Sequence, residues 1–406
     1  MNKIEEIFTA WGISFNPNEV QSELAANRIE ICNKCEHKQN NLLINTCSVC
    51  GCSLKAKVFS PVKGACPKGK WDEVDNINLP NPPKRNLRFI SAQPATIYYV
   101  WQVEVMLNNF IRMGINPNDI DIVCWKKNGI IPEEWSKLAN SYPARFFFYD
   151  DLRETKDYIS SIRPNILKQH WEKYPELKDE TIFYHDSDII FTKRITEWIT
   201  DDMINDKNWY GSDTRWYIGH DYIISKGEDV LNEMCRIVDI DKDLVKQNEL
   251  NCIGAQYLMK GINYEFWDNV EKDSERLFKE ILELNNEKVQ LDRHTMPEGE
   301  VRQPYHPLQI WCADMWAVLW NGWKLGNETI CHPNLDFSWA TGNVEEYQRC
   351  NIMHNAGVVN ATSGYFYKAE YMNELPYNKN LEIKKDTASW YYWNEIQETA
   401  KKSVLI

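Results

Sequence analysis

From residue 87 onward the chain alternates short, nearly continuous apolar runs with stretches whose apolar residues recur at helical spacing. Leu87-Arg-Phe-Ile-Ser-Ala92 reads as a first strand, broken at Gln93-Pro94 because the backbone before a proline is restricted. Between Thr96 and Met113 the apolar positions, among them Val100, Val103, Leu107 and Phe110, predict a helix. Asp119 to Trp125 reads as a second strand and Ala144 to Tyr149 as a third. Ile159 to Tyr174 is predicted helical with Pro164 near its first turns, and Thr181 to His185 is a short apolar strand. Strands alternating with helices imply an α/β domain, with a mainly parallel sheet and helices on both faces. Ahead of it, residues 73–86 (EVDNINLPNPPKRN) are polar, hold three prolines and carry a basic pair, the composition of a linker. The predicted organisation is therefore a small module at 1–72, a linker at 73–86 and the α/β domain at 87–406.

Composition adjusts this picture in three ways. The chain has 406 residues, 43% of them hydrophobic, enough for a sizeable core and more than one domain. It is rich in aromatic residues, with 17 Trp and 20 Tyr, and sugar sites use exposed faces of both. Its net charge of −13 excludes a chain built throughout to coat nucleic acid, but the charge is uneven. Residues 1–72 hold nine Lys/Arg and seven Asp/Glu, a balance of +2, so the remainder carries −15. The start, MNKIEEIFTAWGISF, lacks a signal-peptide pattern, and no stretch approaches the ~20 apolar residues of a membrane span. The expectation is a soluble, cytoplasmic protein with no membrane partner.

Twelve cysteines in such a chain argue for metal binding or buried thiols before disulfides. Six lie close together: Cys32-x2-Cys35, then Cys47-x2-Cys50-Gly51-Cys52, then Cys66. Two C-x2-C hairpins can set four thiolates around one tetrahedral Zn²⁺, with Gly51 allowing the knuckle turn. A segment this short has little core, so the metal would supply much of its folding free energy. Cys32, Cys35, Cys47 and Cys50 are the simplest set. Cys66 can replace Cys47 or Cys50, and Cys52 is a further alternate. The alternative is reduced or disulfide-bonded structural cysteines. The run Gly51–Trp71 also carries Lys55, Lys57, Lys63, Lys68 and Lys70 and no acid. That is either an electrostatic foot for DNA or a solvated face on a docking module. The segment resembles short six-cysteine ribbons in proteins of tailed bacteriophages, which would place the chain in a host cytoplasm.

The candidate chemistry centres on Thr181-Ile-Phe-Tyr-His185-Asp186-Ser187-Asp188-Ile-Ile-Phe191. In extended backbone, residues i and i+2 point to one side, so Asp186 and Asp188 can approach one hard cation together. Mn²⁺ or Mg²⁺ takes such ligands and can bridge a nucleotide diphosphate. Open α/β sheets bind ligands at the carboxyl ends of their strands, where this pair falls. D-x-D alone recurs by chance, and its rival reading is a solvated turn, which the apolar flanks disfavour. Downstream, Asn251-Cys-Ile-Gly254-Ala255-Gln256 sets a small backbone beside an amide, either a sugar contact or an ordinary helix start. His306 to Trp316 places Asp314 among large aromatics, as a site acid or a buried hydrogen-bonded group, and His332 to Trp339 repeats the pattern around Asp336. Asn351-Ile-Met-His354-Asn355-Ala-Gly357 offers one imidazole that would complete a metal shell begun by two aspartates, although a lone His is more often structural.

The ordered blocks FYHDSDIIF, GSDTRWYIGHDYI, IGAQYLMKGINYEFWDNVEKDS, HPLQIWCADMWAVLWNGW, DFSWA and NIMHNAGV resemble the peptidyl-serine galactosyltransferases and hydroxyproline O-arabinosyltransferases of plants and algae, over roughly residues 87–368. The resemblance implies a GT-A fold, a UDP-sugar donor, a divalent metal and retention of anomeric configuration. By that analogy Asp186, Asp188 and His354 hold the metal, Gln256 and Asp314 face the donor sugar and reacting centre, and Gln93, Pro94 and Tyr98 lie where uridine is held. His185, Gly254 and Ala255 fall among the donor contacts, and Arg215 is a candidate diphosphate or sugar contact. Those relatives are secretory-pathway proteins, so the acceptor does not transfer with the resemblance. A serine or hydroxyproline hydroxyl and a hydroxymethylated base in phage DNA are both open. In a retaining reaction the hydroxyl attacks on the leaving-group face, or a carboxylate such as Asp314 forms a covalent intermediate. A rival from another class is a non-enzymatic phage component, with the ribbon docked to a partner or DNA. A second is a nucleotidyl or phosphoryl transferase, though no G-x-x-x-x-G-K-[ST] loop occurs.

Overall fold

The computed structural model describes residues 10–14, 17, 19–40, 45–60, 65–71, 87–295 and 304–406. The linker expected at 73–86 and Lys63 lie outside the described residues. The chain divides into two compact units, Met1–Arg85 and Asn86–Ile406.

In the first unit, helix α1 (Glu19–Asn33) precedes a hairpin of β1 (Lys38–Asn40) and β2 (Asn45–Cys47). Its core is small: Ala25, Cys32, Leu54, Val58 and Trp71. The Arg28 guanidinium lies 4.9 Å above the Trp71 ring and donates to the carbonyls of Val58 (3.0 Å) and Ser60 (2.8 Å). Gly51 has a φ of +70°, and its N–H closes the knuckle turn onto the Cys47 carbonyl at 2.7 Å.

The second unit is a mixed α/β fold with a mainly parallel central sheet. Its strands are β3 (Leu87–Pro94), β4 (Ile120–Trp125), β5 (Arg145–Tyr149), β6 (Thr181–His185), β7 (Ile189–Phe191), β8 (Trp209–Asp213), β9 (Ile253–Met259), β10 (Thr329–Cys331), β11 (Phe337–Trp339) and β12 (Ile352–His354). The large sheet runs β10-β8-β9-β6-β3-β4-β5, and a small one runs β11-β12-β7. In the large sheet β9 is antiparallel to both its neighbours, and all other pairs are parallel.

The alternation along the central strands explains the layering. Leu87 and Phe89 of β3, Ile120 and Ile122 of β4 and Phe183 of β6 enter one core. Ile90 and Ala92, Val123 and Ile182 enter the other. Both faces must therefore be covered. Helices α2 (Ile97–Arg112) and α6 (Ala388–Ala400) contribute to the first core, with Val100, Val103, Leu107 and Phe110 of α2 fully buried. Helices α3 (Ile162–Lys173), α4 (Tyr264–Thr295) and α5 (Ala313–Lys324) contribute to the second. The buried Glu104 of α2 accepts from Tyr377 Oη (2.6 Å), Ser403 Oγ (2.7 Å) and the Val404 N–H (2.9 Å), which ties the C-terminal segment to that helix. Among the described residues no helix is long and apolar enough to cross a membrane.

One boundary differs from expectation. Gln93 and Pro94 do not break β3; they pair with Cys124 and Trp125 as its last two residues. A proline is tolerated at a strand end where its missing N–H is not required, and the ladder continues through Ala95 N–H to the Trp125 carbonyl at 2.8 Å.

Candidate active site

Strand β6 ends at His185, and residues 186–188 turn into β7. The sequence reading of extended backbone across Asp186-Ser187-Asp188 is thereby corrected: a turn brings the two carboxylates together. Strand β7 then pairs antiparallel with β12, setting His354 opposite Ile189, and the Asn355 N–H donates to the Asp188 carbonyl at 2.9 Å. Residues far apart in sequence meet because a three-residue strand follows the turn.

His354 Nε2 lies 3.5 Å from Asp186 Oδ2 and 3.3 Å from Asp188 Oδ1. Ligand atoms of Asp186, Asp188 and His354 all fall within 4.8 Å of one another. Each carboxylate offers His354 one oxygen and gives the other to a cation: Arg163 Nη1 reaches Asp186 Oδ1 at 2.9 Å, and Lys368 Nζ binds Asp188 Oδ2. Burial alone would raise the Asp188 carboxyl, but Lys368 and His354 outweigh it and hold it well below the usual carboxylate range. Two hard oxygens and one imidazole suit Mn²⁺ or Mg²⁺. The supporting amide fits as well. Gln256 Nε2 lies 3.3 Å from His354 Nδ1, while the buried Gln256 Oε1 has no partner. Turned over, that amide would accept the Nδ1 proton and leave Nε2 as a lone pair facing the carboxylates.

The triad opens on a cleft of about 190 Å³, whose lining includes Arg163, Asp186, Tyr257, Trp311, Asp314 and His354. Asp314 stands in the first turn of α5, and its Oδ1 is 2.8 Å from Tyr158 Oη. Its Oδ2 is 3.8 Å from Arg163 Nη1, so Arg163 sits between Asp186 and Asp314. Burial raises the Asp314 carboxyl above its ordinary value against the pull of Arg163. Asp314 thus combines both sequence readings, being hydrogen-bonded and facing the cleft.

The other candidates divide. Ala255 lines the cleft in a left-handed conformation (φ +61°). Gly254 opens strand β9, not a helix, and a Cβ there would meet Met315 Cε at 2.6 Å and Thr214 Oγ1 at 2.8 Å. Tyr98 follows Pro94 at the carboxyl end of β3, and burial raises its phenol to about 12, with Lys368 and Asp188 as charged neighbours. The Gln93 amide is buried and donates to the Val123 carbonyl at 3.2 Å. The His185 ring packs against Phe110 and Phe183, donates from Nδ1 to the Asp186 carbonyl at 2.8 Å, and is lowered by burial to about 4. Arg215 does not line the cleft; it pairs with Asp213 at 2.6 Å. Asp336 pairs with Arg349 at 3.1 Å. Sequence reading missed Arg163, Lys368 and Tyr158, single residues inside helices or loops with no spacing to mark them.

Among the described residues the other metal-sized group is His220, Asp221 and Glu249, where the Glu249 carboxylate accepts the Asp221 N–H at the start of a short helix. The cysteines form no such group. Cys32, Cys35, Cys47 and Cys66 line one small chamber of about 20 Å³, whereas Cys50 Sγ accepts from Lys57 Nζ at 2.8 Å. Lys57 is buried, whereas Lys55, Lys68 and Lys70 are exposed, Lys70 pairing with Glu36 at 3.1 Å.

No protein-family model matches the chain, and no curated protein matches it. Among solved structures it is similar to the bifunctional glycosyltransferase WbbM in its apo form, at 11% identity over 77% of this chain and 49% of that one, with a TM-score of 0.37. It is also similar to the galactosyltransferase LgtC in complex with donor and acceptor sugar analogues (12% identity, 77% of this chain, 95% of that one, TM-score 0.32). An active-site mutant of LgtC gives 13% identity, the same coverage and a TM-score of 0.35. The chain spans about half the length of WbbM.

Proposed function

We propose that this chain is a metal-dependent GT-A glycosyltransferase that moves a sugar from a UDP-sugar to a hydroxyl acceptor. The observation that carries the reading is the meeting of Asp186, Asp188 and His354 at the carboxyl end of β6, beside a cleft. Mn²⁺ or Mg²⁺ held by these three would neutralise charge on a departing diphosphate. Strand β3 lies between β6 and β4, a switch in strand order of the kind that opens a crevice for a nucleotide. Pro94 and Tyr98 at the end of β3 are the proposed uridine contacts.

Arg163 and Lys368 are cations already placed on the two aspartates. They are the proposed diphosphate and sugar contacts, in preference to Arg215. Asp314 and Gln256 position the reacting groups. Asp314 Oδ1 is engaged by Tyr158 and its Oδ2 is near Arg163, which supports attack by the acceptor hydroxyl on the leaving-group face over a covalent intermediate on Asp314. Retention follows from that route. For the first unit, the thiol-lined chamber supports a structural Zn²⁺ held by Cys32, Cys35, Cys47 and Cys66, with Cys66 in place of Cys50. Burial of Lys57 and pairing of Lys70 favour a docking module over a DNA foot.

The test is hydrolysis of a panel of UDP-sugars with Mn²⁺. At least one is turned over by the wild type, and Asp188→Ala lowers the rate by roughly a hundredfold or more, as loss of a key electrostatic group does. No turnover of any nucleotide sugar, or an indifferent variant, removes the reading.

A further inference from the structure

Of the 17 tryptophans, Trp216 and Trp311 are the two that are more than half exposed, at 64% and 59%; Trp311 lines the cleft, and Trp216 adjoins it through its contact with Trp339. Trp311 lines it directly, and its carbonyl lies 2.7 Å from the Tyr158 hydroxyl that also touches Asp314. Trp216 meets Trp339 edge-on, with ring centroids 6.4 Å apart and planes at 68°. Trp339 in turn lines the cleft and stacks on His354 at 6.1 Å and 14°. An aromatic rim therefore runs outward from the triad on one side, and Trp311 stands at the cleft beside Asp314.

An indole offers roughly 150–250 Å² of contact area. Exposed indoles concentrated at one cleft mark a surface that a ligand covers. The charges around them select its chemistry. Arg163, Lys368 and Arg215 are each engaged by a carboxylate, respectively Asp186, Asp188 and Asp213. Beyond the donor diphosphate proposed to meet Arg163 and Lys368, a polyanionic acceptor would face the acidic groups that pair these cations. Ionised carboxylates accept hydrogen bonds only, so they suit a ligand rich in hydroxyl donors.

We propose that the acceptor is a neutral saccharide, whose C–H ring faces stack on Trp311 and Trp216 while its hydroxyls reach Asp314. The assignment rests on the glycosyl-transfer reading of the same cleft. In the transfer, a hydroxyl oxygen of the bound saccharide forms the new bond to the anomeric carbon. The bond from that carbon to the diphosphate oxygen breaks, and the hydroxyl proton passes to a diphosphate oxygen.

Saturation-transfer NMR on the full chain with Mg²⁺ and UDP tests this directly, with lactose, cellobiose and maltose as probes. Transfer to the ring C–H signals of at least one disaccharide is expected. Trp216→Ala and Trp311→Ala should each weaken that binding roughly tenfold, the loss typical of a buried aromatic anchor. Leu325→Ala, an exposed apolar residue that does not line the cleft, should change nothing. The proposal is overturned if no disaccharide receives saturation, or if both tryptophan variants bind as wild type. It is equally overturned if only a serine-rich peptide or a hydroxymethylcytosine oligonucleotide binds in a tryptophan-dependent way. The UDP signals in the same samples separate the two claims: UDP bound without any disaccharide ends the acceptor assignment alone, and unbound UDP ends the transferase reading.

Discussion

Gln256 is placed to set which nitrogen of His354 is free. Its Nε2 faces Nδ1 at 3.3 Å and its Oε1 is buried without a partner, an arrangement that leaves the amide half-satisfied. A cation bound through Nε2 requires the proton on Nδ1, and the same amide turned over then satisfies both groups. Replacement by Leu removes that support while leaving all three ligands. Gln256→Leu should weaken Mn²⁺ binding by roughly 10–100-fold, as lost supporting hydrogen bonds do, and calorimetric titration reads it. Gln256→Glu retains an acceptor for Nδ1–H and should lose less. Equal affinity in wild type and Gln256→Leu would show that the amide does not orient the ring. At this scale the two aspartates stood out because carboxylates beside apolar runs need a reason, whereas His354 was singled out only through the family resemblance. Arg163 and Lys368 were not, since one cation in a helix or loop is the commonest surface feature there is.

The elements most legible in sequence were the strands of the large sheet written as short apolar runs. The buried β3, β4 and β6 and the half-buried edge strand β5 lie within a residue or two of their expected bounds, because such runs between helices leave few alternatives. The three-residue strands β7, β11 and β12 carry no periodicity long enough to read, yet they deliver His354 to the aspartates. Asn251 to Gln256 looked equally like a helix start and proved to be the entry to β9, with Ala255 left-handed. The segment between β5 and α3 supplies Tyr158, and it is held by charge. Asp151 Oδ1 accepts from Arg153 Nε at 2.9 Å, and Asp151 Oδ2 accepts from Arg153 Nη2 and Lys156, each at 3.0 Å. Arg153 Nη1 reaches the Tyr158 carbonyl at 2.9 Å. Burial raises the Asp151 carboxyl, but Arg153 and Lys156 outweigh it and bring it to about 2. Since the folded value lies below the unfolded value of ~3.9, the stabilisation is complete above about pH 4 and is lost as pH falls toward 2. Thermal melts of the apo chain should therefore show a steeper loss between pH 4 and pH 2 than those of Asp151→Asn, which starts less stable and changes less. Parallel curves would mean that the loop does not depend on this ionisation.

At the scale of the molecule, the two units solve the problem of stability differently. The large unit buries two cores around one sheet, so loss of one side chain leaves most of it standing. Among the described residues of the small unit, the core cluster is Ala25, Cys32, Leu54, Val58 and Trp71, and small units of this kind commonly rely on a staple. Cysteine spacing marked the segment as a candidate metal module, but not which sulfurs would line one chamber, because that depends on how the chain returns at Cys66 after the Leu54–Lys57 turn. If Zn²⁺ is that staple, its removal unfolds residues 19–71 while β3, β4 and β6 stay protected, since binding free energy is then folding free energy. Amide hydrogen exchange of the full chain, before and after treatment with a zinc chelator, resolves the two units separately. Cys66→Ser should reproduce the chelated pattern without any chelator, whereas Cys50→Ser, whose thiol is occupied by Lys57, should remain close to wild type. The opposite pairing would return Cys50 to the ligand set. Protection unchanged by chelation would mean that thiol packing and the Arg28–Trp71 contact hold the unit by themselves.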